Sequence, residues 1–374
     1  MIDTVIISIS KSKVRSVGSP NNDSFGWNQH SQTSYYSKFV KNPSKKDLES
    51  GLYFPRLTGI NRKRDGVLDA SIKIEFSIPK LLYMNNLDEV EEKDFDLVVS
   101  TLKDRLLRMG ILVLENDLKF ASVSAVHYSK NILLTNGYTT QFVLSELNKI
   151  DVRKTFDLTK TRFMNDGESL CIYANSHSFI AYDKIADLNK DLKRAIDKDP
   201  TRYQRSLFDQ IDKKELYEVI RFEVRLSRKH KMKSLFKKLN FPDNPNFEQV
   251  FSLKISKEIL NFYWQTMISN NSLILFSFVL TPKDILKQIF ITNPKLKPKQ
   301  AIYFASLVSL TKDGNGMREL RSNISKYSDD RTWYRIKEDV REVTELLKSV
   351  RPRDWFDQIE GGFREYKAFK QNGP

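Results

Sequence analysis

Between residues 220 and 226 the chain reads Ile-Arg-Phe-Glu-Val-Arg-Leu, an unbroken two-residue alternation. A half-buried strand uses such a pattern, because successive side chains point to opposite faces of a sheet. Ile220, Phe222, Val224 and Leu226 then line one face, and Arg221, Glu223 and Arg225 line the other. A second stretch, Ser-Phe-Ile-Ala-Tyr-Asp-Lys at 178–184, alternates likewise: Ile180, Tyr182 and Lys184 share one face, Phe179, Ala181 and Asp183 the opposite one. If both strands lie in one sheet, a tyrosine, a lysine, a carboxylate and two arginines converge on it. That set suits attack on a phosphodiester, with a phenol to attack, a carboxylate to hold a metal and cations to hold phosphate.

Much of the first 240 residues has the same strand character. Residues 2–10 read as a strand, 16–37 as a long polar loop or flap, and 52–60 with 67–78 as a hairpin whose tip is Arg-Lys-Arg-Asp-Gly. In its second arm Ile72, Ile74, Phe76 and Ile78 point one way, Lys73, Glu75 and Ser77 the other, and Pro79 ends the strand. Residues 87–109 carry Val90, Phe95, Val98, Leu102, Leu106 and Met109 at helical spacing, with Gly110 as the stop. A strand over 119–134, a helical segment near 141–150 and a charged helix over 185–198, broken by Pro200, follow. Pro242 and Pro245 mark a boundary, beyond which 247–269, 282–291, 298–310, 316–326 and 332–350 all have helical periodicity. The expected fold is α+β: an antiparallel sheet with covering helices over 1–240, then a helical domain over 246–374. Short helices joined by tight turns there resemble a helix-turn-helix or winged helix, and a plain helical packing domain fits as well.

The 374 residues include 62 Lys+Arg against 47 Asp+Glu, a net charge of +15. That excess points to a polyanionic partner, nucleic acid first, since the cations are spread along the chain and form no polybasic tail. One cysteine, Cys171, excludes an intrachain disulfide and a cysteine-only metal cage, and fits a reducing compartment. The longest apolar run, 273–280, is too short to cross a bilayer, and no basic region precedes the first strand as in a signal peptide. No membrane partner is expected.

Four stretches, in order, resemble the rolling-circle replication initiators of the gene II/gene X family of filamentous phages and related plasmids. They are Ile-Glu-Phe-Ser-Ile-Pro-Lys-Leu-Leu at 74–82 followed by Asn85-Asn86; Ser-Ala-Val-His-Tyr-Ser-Lys-Asn at 124–131; Ala-Tyr-Asp-Lys at 181–184; and Arg-Phe-Glu-Val-Arg-Leu at 221–226. The resemblance spans roughly residues 1–240. It implies a nickase-like fold that cuts one DNA strand at an origin through a tyrosine, stays attached to the 5′ phosphate, and later rejoins the displaced strand. More distant staphylococcal-type plasmid initiators share a Tyr-x-Lys strand, which assigns the nucleophile to Tyr182. The implied partners are origin duplex and single-stranded DNA and the sliding clamp or helicase of a host replisome. The implied setting is the cytoplasm of a bacterial or phage-infected cell.

The residue chemistry agrees with that assignment. A phenol with an unperturbed pKa near 10 needs neighbouring positive charge or a base, which Lys184 can supply. Glu75 and Glu223 each sit alone on the polar side of an apolar strand, where a carboxylate wants a cation or a metal such as Mg²⁺ or Mn²⁺. Arg221 and Arg225 flank Glu223 and could clamp phosphate, or simply pair with it. Glu75 could equally pair with Lys73, and Tyr182 could be an ordinary strand tyrosine with Tyr173, Tyr128 or Tyr203 in its place. His127 departs from the phage pattern, which has an acid there and an arginine at Ala125. Imidazole can replace carboxylate toward Mn²⁺, so His127 is either a third ligand or a structural histidine. The acid-free run 227–238 reads as a helix whose Arg228, Lys229 and Lys231 contact phosphate while Met232, Leu235 and Phe236 pack inward. Gln204, Leu207 and Phe208 resemble a clamp-docking peptide. Non-catalytic alternatives stay open: a DNA-binding replication regulator, or an initiator relative that lost its metal site.

Overall fold

The computed structural model describes residues 1–16, 36–43, 51–64, 67–83, 86–152, 160–164, 167–188, 218–269, 276, 281–347 and 352–370. Eleven strands occur among them: β1 (Ile2–Ser10), β2 (Arg15–Ser16), β3 (Tyr36–Lys41), β4 (Arg56–Arg64), β5 (Val67–Ser77), β6 (Ile111–Leu112), β7 (Ser122–Leu134), β8 (Lys160–Met164), β9 (Ser169–Tyr173), β10 (His177–Asp183) and β11 (Glu218–Leu226). Nine of them build one sheet in the order β3-β4-β5-β1-β7-β11-β10-β9-β8, and every neighbouring pair is antiparallel. β2 and β6 pair separately. The architecture is the expected α+β.

The helices are α1 (Ile78–Tyr83), α2 (Phe95–Arg108), α3 (Glu115–Lys119), α4 (Thr140–Asn148), α5 (Lys184–Leu188), α6 (Lys229–Lys238), α7 (Phe247–Val250), α8 (Leu253–Trp264), α9 (Pro282–Thr292), α10 (Pro298–Lys312), α11 (Gly316–Ile324), α12 (Asp330–Leu346) and α13 (Asp354–Glu365). Their starts follow local chemistry. Thr281 caps α9 in a reciprocal box with Asp284, and Pro282 takes a first-turn position whose N–H has no helical partner.

Val5, Ile7, Ile72, Ile74, Phe76, Phe179, Phe222 and Val224 point to one side of the sheet and are buried with Val98, Leu102 and Leu106 of α2, Tyr263 and Trp264 of α8, and Phe363 of α13. The Phe222 ring meets Trp264 edge-on at 5.3 Å and Phe363 at the same distance. Burying one such phenylalanine contributes about 2–3 kcal/mol. α13 lies close on β7 because Gly362 has no side chain; a Cβ there would come within 2.9 Å of Ile132. The boundary expected near 242–245 therefore separates strand-built from helix-built chain, while α8 and α13 beyond it share the sheet's core. A second cluster, including Ile285, Ile289, Phe304, Val308 and Val343, unites α9, α10 and α12.

Two boundaries differ from the sequence expectation. The helix expected over 87–109 begins only at Phe95. Upstream, the Glu89 carboxylate is buried against Lys130 and the Asn131 N–H, while the Glu89 N–H donates to the Phe369 carbonyl, which holds that segment out of helical form. The strand expected from residue 119 begins at Ser122, because 115–119 form a helical turn. Of the charged helix expected over 185–198, Lys184–Leu188 is described. The remainder, the Gln204-Leu207-Phe208 peptide, Tyr203, most of the polar loop and the hairpin tip at 65–66 lie outside the described residues. No helix among the described residues is long and apolar enough to cross a membrane.

Candidate active site

Register fixes which side chains meet. Tyr182 stands opposite Arg221, Ile180 opposite Glu223 and Ser178 opposite Arg225 across β10 and β11. Across β11 and β7, Arg221 stands opposite Asn131, Glu223 opposite Ser129 and Arg225 opposite His127. Directly opposed residues in an antiparallel pair share a face. Tyr182, Arg221, Glu223, Arg225 and His127 therefore occupy the side away from the apolar core, as the alternation of 178–182 and 220–226 predicts.

The residue that the sequence reading missed is Asp3. The β1–β7 register shifts between Ile2 and Thr4, so Asp3 is the extra residue of a bulge. A bulge re-aims a side chain, and here it brings the carboxylate beside His127 and Glu223, one ligand atom of each lying within 4.8 Å of the others. Strict alternation puts Asp3 with Val5 and Ile7 on the core side, so periodicity carries no signal for it. Glu75 is not part of this group. It pairs in register with Ile6 of β1 and Arg56 of β4, two strands from His127, roughly 10 Å at sheet spacing.

Glu223 is 1% exposed. Burial alone raises its carboxyl, but the Arg225 charge and hydrogen bonds from His127 and Arg225 overcome that and hold it well below the usual carboxylate range. Its Oε1 lies 3.4 Å from His127 Nδ1. Arg221, also 1% exposed, is saturated inside the protein. Its Nε donates to Asn131 Oδ1 at 2.6 Å, Nη1 to Asp3 Oδ1 and Asn86 Oδ1 at 3.1 Å each, and Nη2 to the Asn86 carbonyl at 2.6 Å. It thus struts Asp3 from below, whereas Arg225, with 42% of its side chain exposed, is the arginine that a phosphate can reach.

Tyr182 is half-buried, and its hydroxyl makes no hydrogen bond among the described residues. Burial pushes the phenol well above 10, with Arg221 pulling the other way. β10 ends at Asp183, so Lys184 opens a short helix and does not continue the strand. Its ammonium still lies 5.8 Å from the Tyr182 ring centre and 3.4 Å from Asp187. Burial, helped by Arg221, lowers Lys184 to about 8. Of the alternative tyrosines, Tyr128 is fully buried and donates to the Val250 carbonyl. Tyr173 stands opposite Ser178 on the polar face, one strand farther out. In α6, Met232, Leu235 and Phe236 are buried, and Arg228 and Lys229 at its start are exposed, as expected of the basic run; Lys231 is half-buried.

Two carboxylates and one imidazole are a mixed oxygen and nitrogen set that suits Mn²⁺, and Mg²⁺ less well. Three protein ligands leave the other positions of an octahedral ion open to water or a phosphoryl oxygen. Asp3, His127 and Glu223 fit such an ion, provided Arg225 yields its hold on Glu223. No family model, curated protein or solved structure matches this chain.

Proposed function

We propose that this protein nicks and rejoins one strand of DNA at an origin through Tyr182, as a rolling-circle initiator does. The observation that carries the reading is that Tyr182 and the Asp3, His127 and Glu223 group occupy one face of one sheet, drawn from β1, β7, β10 and β11. In the proposed reaction Tyr182 Oη bonds to the phosphorus of the scissile phosphate as the bond to O3′ breaks. The 3′ oxygen leaves as a hydroxyl by taking a proton from water, and the 5′ phosphate stays on the tyrosine until a 3′ hydroxyl reverses the step. Lys184, at about 8, is close enough to neutrality to take the phenolic proton. Arg225 faces solvent beside Glu223 and holds a phosphate oxygen. A divalent ion on Asp3, His127 and Glu223 would withdraw charge from the phosphoryl group. Arg221 touches no substrate in this reading; it keeps Asp3 in place.

In the same reading residues 1–240 carry the chemistry, helices after 246 grip origin duplex, and the setting is the cytoplasm of a bacterial or phage-infected cell. The sliding clamp, through residues 204–208, or a helicase of the host replisome remains an expected partner. One observation favours a non-catalytic DNA-binding relative: Arg225 already neutralises Glu223, so the polar cluster is closed without an ion. Incubation with labelled supercoiled or single-stranded origin DNA and Mn²⁺ separates the two. A covalent protein–DNA adduct that survives phenol extraction and disappears in Tyr182→Phe supports the nickase; reversible binding without an adduct under any divalent ion rejects it.

A further inference from the structure

The polar face continues past the site across β1, β5, β4 and β3. Thr4, Ile6, Ser8, Thr58, Lys73 and Glu75 all keep solvent exposure there, while Val5, Ile7, Ile72 and Ile74 between them are buried. Registered rows bring Lys38, Arg56, Arg62 and Lys73 onto this face, against Asp69 and Glu75. Arg62 and Asp69 stand opposite each other, as do Arg56 and Glu75, yet neither pair closes to an ion pair. Lys229 reaches over from α6 to Ser122, which lies in the row of Ser8 and Lys73, and Arg228 is its neighbour. Partial burial, then Arg62, Lys38, Lys229 and Arg228, pull the Lys73 ammonium below its ordinary value. None of Lys38, Arg56, Lys73 and Arg228 has an acidic partner among the described residues. Mutually repelling cations on one open face cost stability that a polyanion lying across them would offset.

We infer that this half of the sheet is a track for single-stranded DNA, running from the Tyr182 centre across β7, β1, β5 and β4 to the edge at β3. The inference rests on the proposed function and adds the path and strandedness of its substrate. From β11 to β4 is four strand spacings, about 19 Å, which a backbone of roughly four nucleotides can cover. Thr58, Ser71 and Ser8 set hydroxyls between the cations, where phosphate oxygens accept hydrogen bonds. At the far edge Tyr36 is 50% exposed with the Arg62 guanidinium 5.7 Å from its ring centre. A half-exposed aromatic ring beside a cation is a platform for an unpaired base. Duplex recognition calls for an element that enters a groove, and the described residues present none on this face.

The test is fluorescence anisotropy in EDTA, so that no cleavage occurs, with labelled oligo(dT) of 20 nucleotides, a duplex of equal length and vesicles containing anionic lipid. The full chain is compared with Lys38→Gln, Arg62→Gln, Lys73→Gln, Tyr36→Ala and, as a control on an exposed lysine away from the track, Lys93→Gln. Duplex binding is expected to be spared by the track substitutions, and the loss to fall on single-strand binding. Arg62→Gln and Lys73→Gln together should weaken it at least tenfold and flatten the salt dependence, by about 0.7 in the log–log slope per lost contact. Tyr36→Ala should weaken it about fivefold to tenfold, Lys38→Gln should weaken it by less, and Lys93→Gln should leave it unchanged. Equal single-strand binding by all variants, an equal loss of duplex binding in the track variants, or vesicle binding lost through the same substitutions overturns the track. Lys38 and Arg62 are exposed, so their variants fold. The outcomes are separable from the nickase reading: track-dependent binding without any adduct rejects only the chemistry, and an adduct formed equally by every track variant rejects only the track.

Discussion

Arg225 grips Glu223 through both carboxylate oxygens, Nε to Oε1 at 2.8 Å and Nη2 to Oε2 at 3.2 Å. The two residues share one strand, two positions apart, and the same carboxylate faces Asp3 and His127. A cation arriving at that group competes with a guanidinium already in place, and the guanidinium it displaces is free to meet phosphate. Arg225→Gln should therefore tighten Mn²⁺ binding, by about tenfold, equivalent to roughly 1.4 kcal/mol, while slowing adduct formation. Glu223→Gln should abolish Mn²⁺ binding. Calorimetric titration of Mn²⁺ into the protein reads the first effect and the adduct assay the second; weaker Mn²⁺ binding by Arg225→Gln contradicts the competition.

Tyr182→Phe removes a hydroxyl with no hydrogen bond among the described residues. Its unfolding midpoint should stay within a few degrees of the parent, while adduct formation falls by at least roughly a thousandfold. In the parent, the rate should climb with pH and level off near 8, as Lys184 loses its proton. Lys184→Gln should lower the plateau by about a hundredfold or more and remove that inflection. A pH profile of single-turnover rates, with melting followed by circular dichroism, checks both.

The buried Glu89 and Lys130 pair, 2.6 Å apart, makes stability depend on acid. Burial raises the Glu89 carboxyl, but Lys130, the Met1 amino group and the Phe369 N–H overcome this and bring it from 4.5 to about 2. The unfolded chain thus takes up this proton first as pH falls, so the contribution is complete above about 4.5 and is lost on the way down to 2. Its size is about 3 kcal/mol. Urea unfolding at pH 6, 4 and 2.5 should show this loss in the parent, and Glu89→Gln, though less stable at pH 6, should show a shallower decline.

Alanine in place of a mid-helix glycine ordinarily stabilises by up to about 1 kcal/mol. At Gly362 the sign should reverse. The new methyl would meet Ile132 Cδ1 and Cγ1 at 2.9 Å, an overpacking that costs about 1–3 kcal/mol. Gly361→Ala, with nothing within 4 Å of its Cβ, should stabilise instead. Paired thermal melts of the two variants decide the matter.

Periodicity made much of this legible. The alternation at 178–182 and 220–226 sorted Tyr182, Glu223 and Arg225 from Phe179 and Phe222, and the helical spacing after residue 246 located α8 to α12 closely. Where a local rule was broken, the sequence was silent. Asp3 reaches the site through a bulge, and a bulge leaves no mark in a short apolar strand. Arg221 looked like a phosphate clamp because Asn86 and Asn131, which saturate it, come from distant segments whose approach no local pattern encodes. Glu89 interrupted an apparently helical run through tertiary contacts with Lys130 and Phe369.

The bulge at Asp3 also acts as a proofreader of assembly. Its carboxylate joins residues 127 and 223 only when the three central strands have docked with one residue skipped between Ile2 and Thr4. A slip of one position would turn that carboxylate toward the helices and leave its companions incomplete. Partners so distant along the chain pair late and slowly. A half-folded molecule would therefore present its positive charge to solvent before Asp3, His127 and Glu223 had come together.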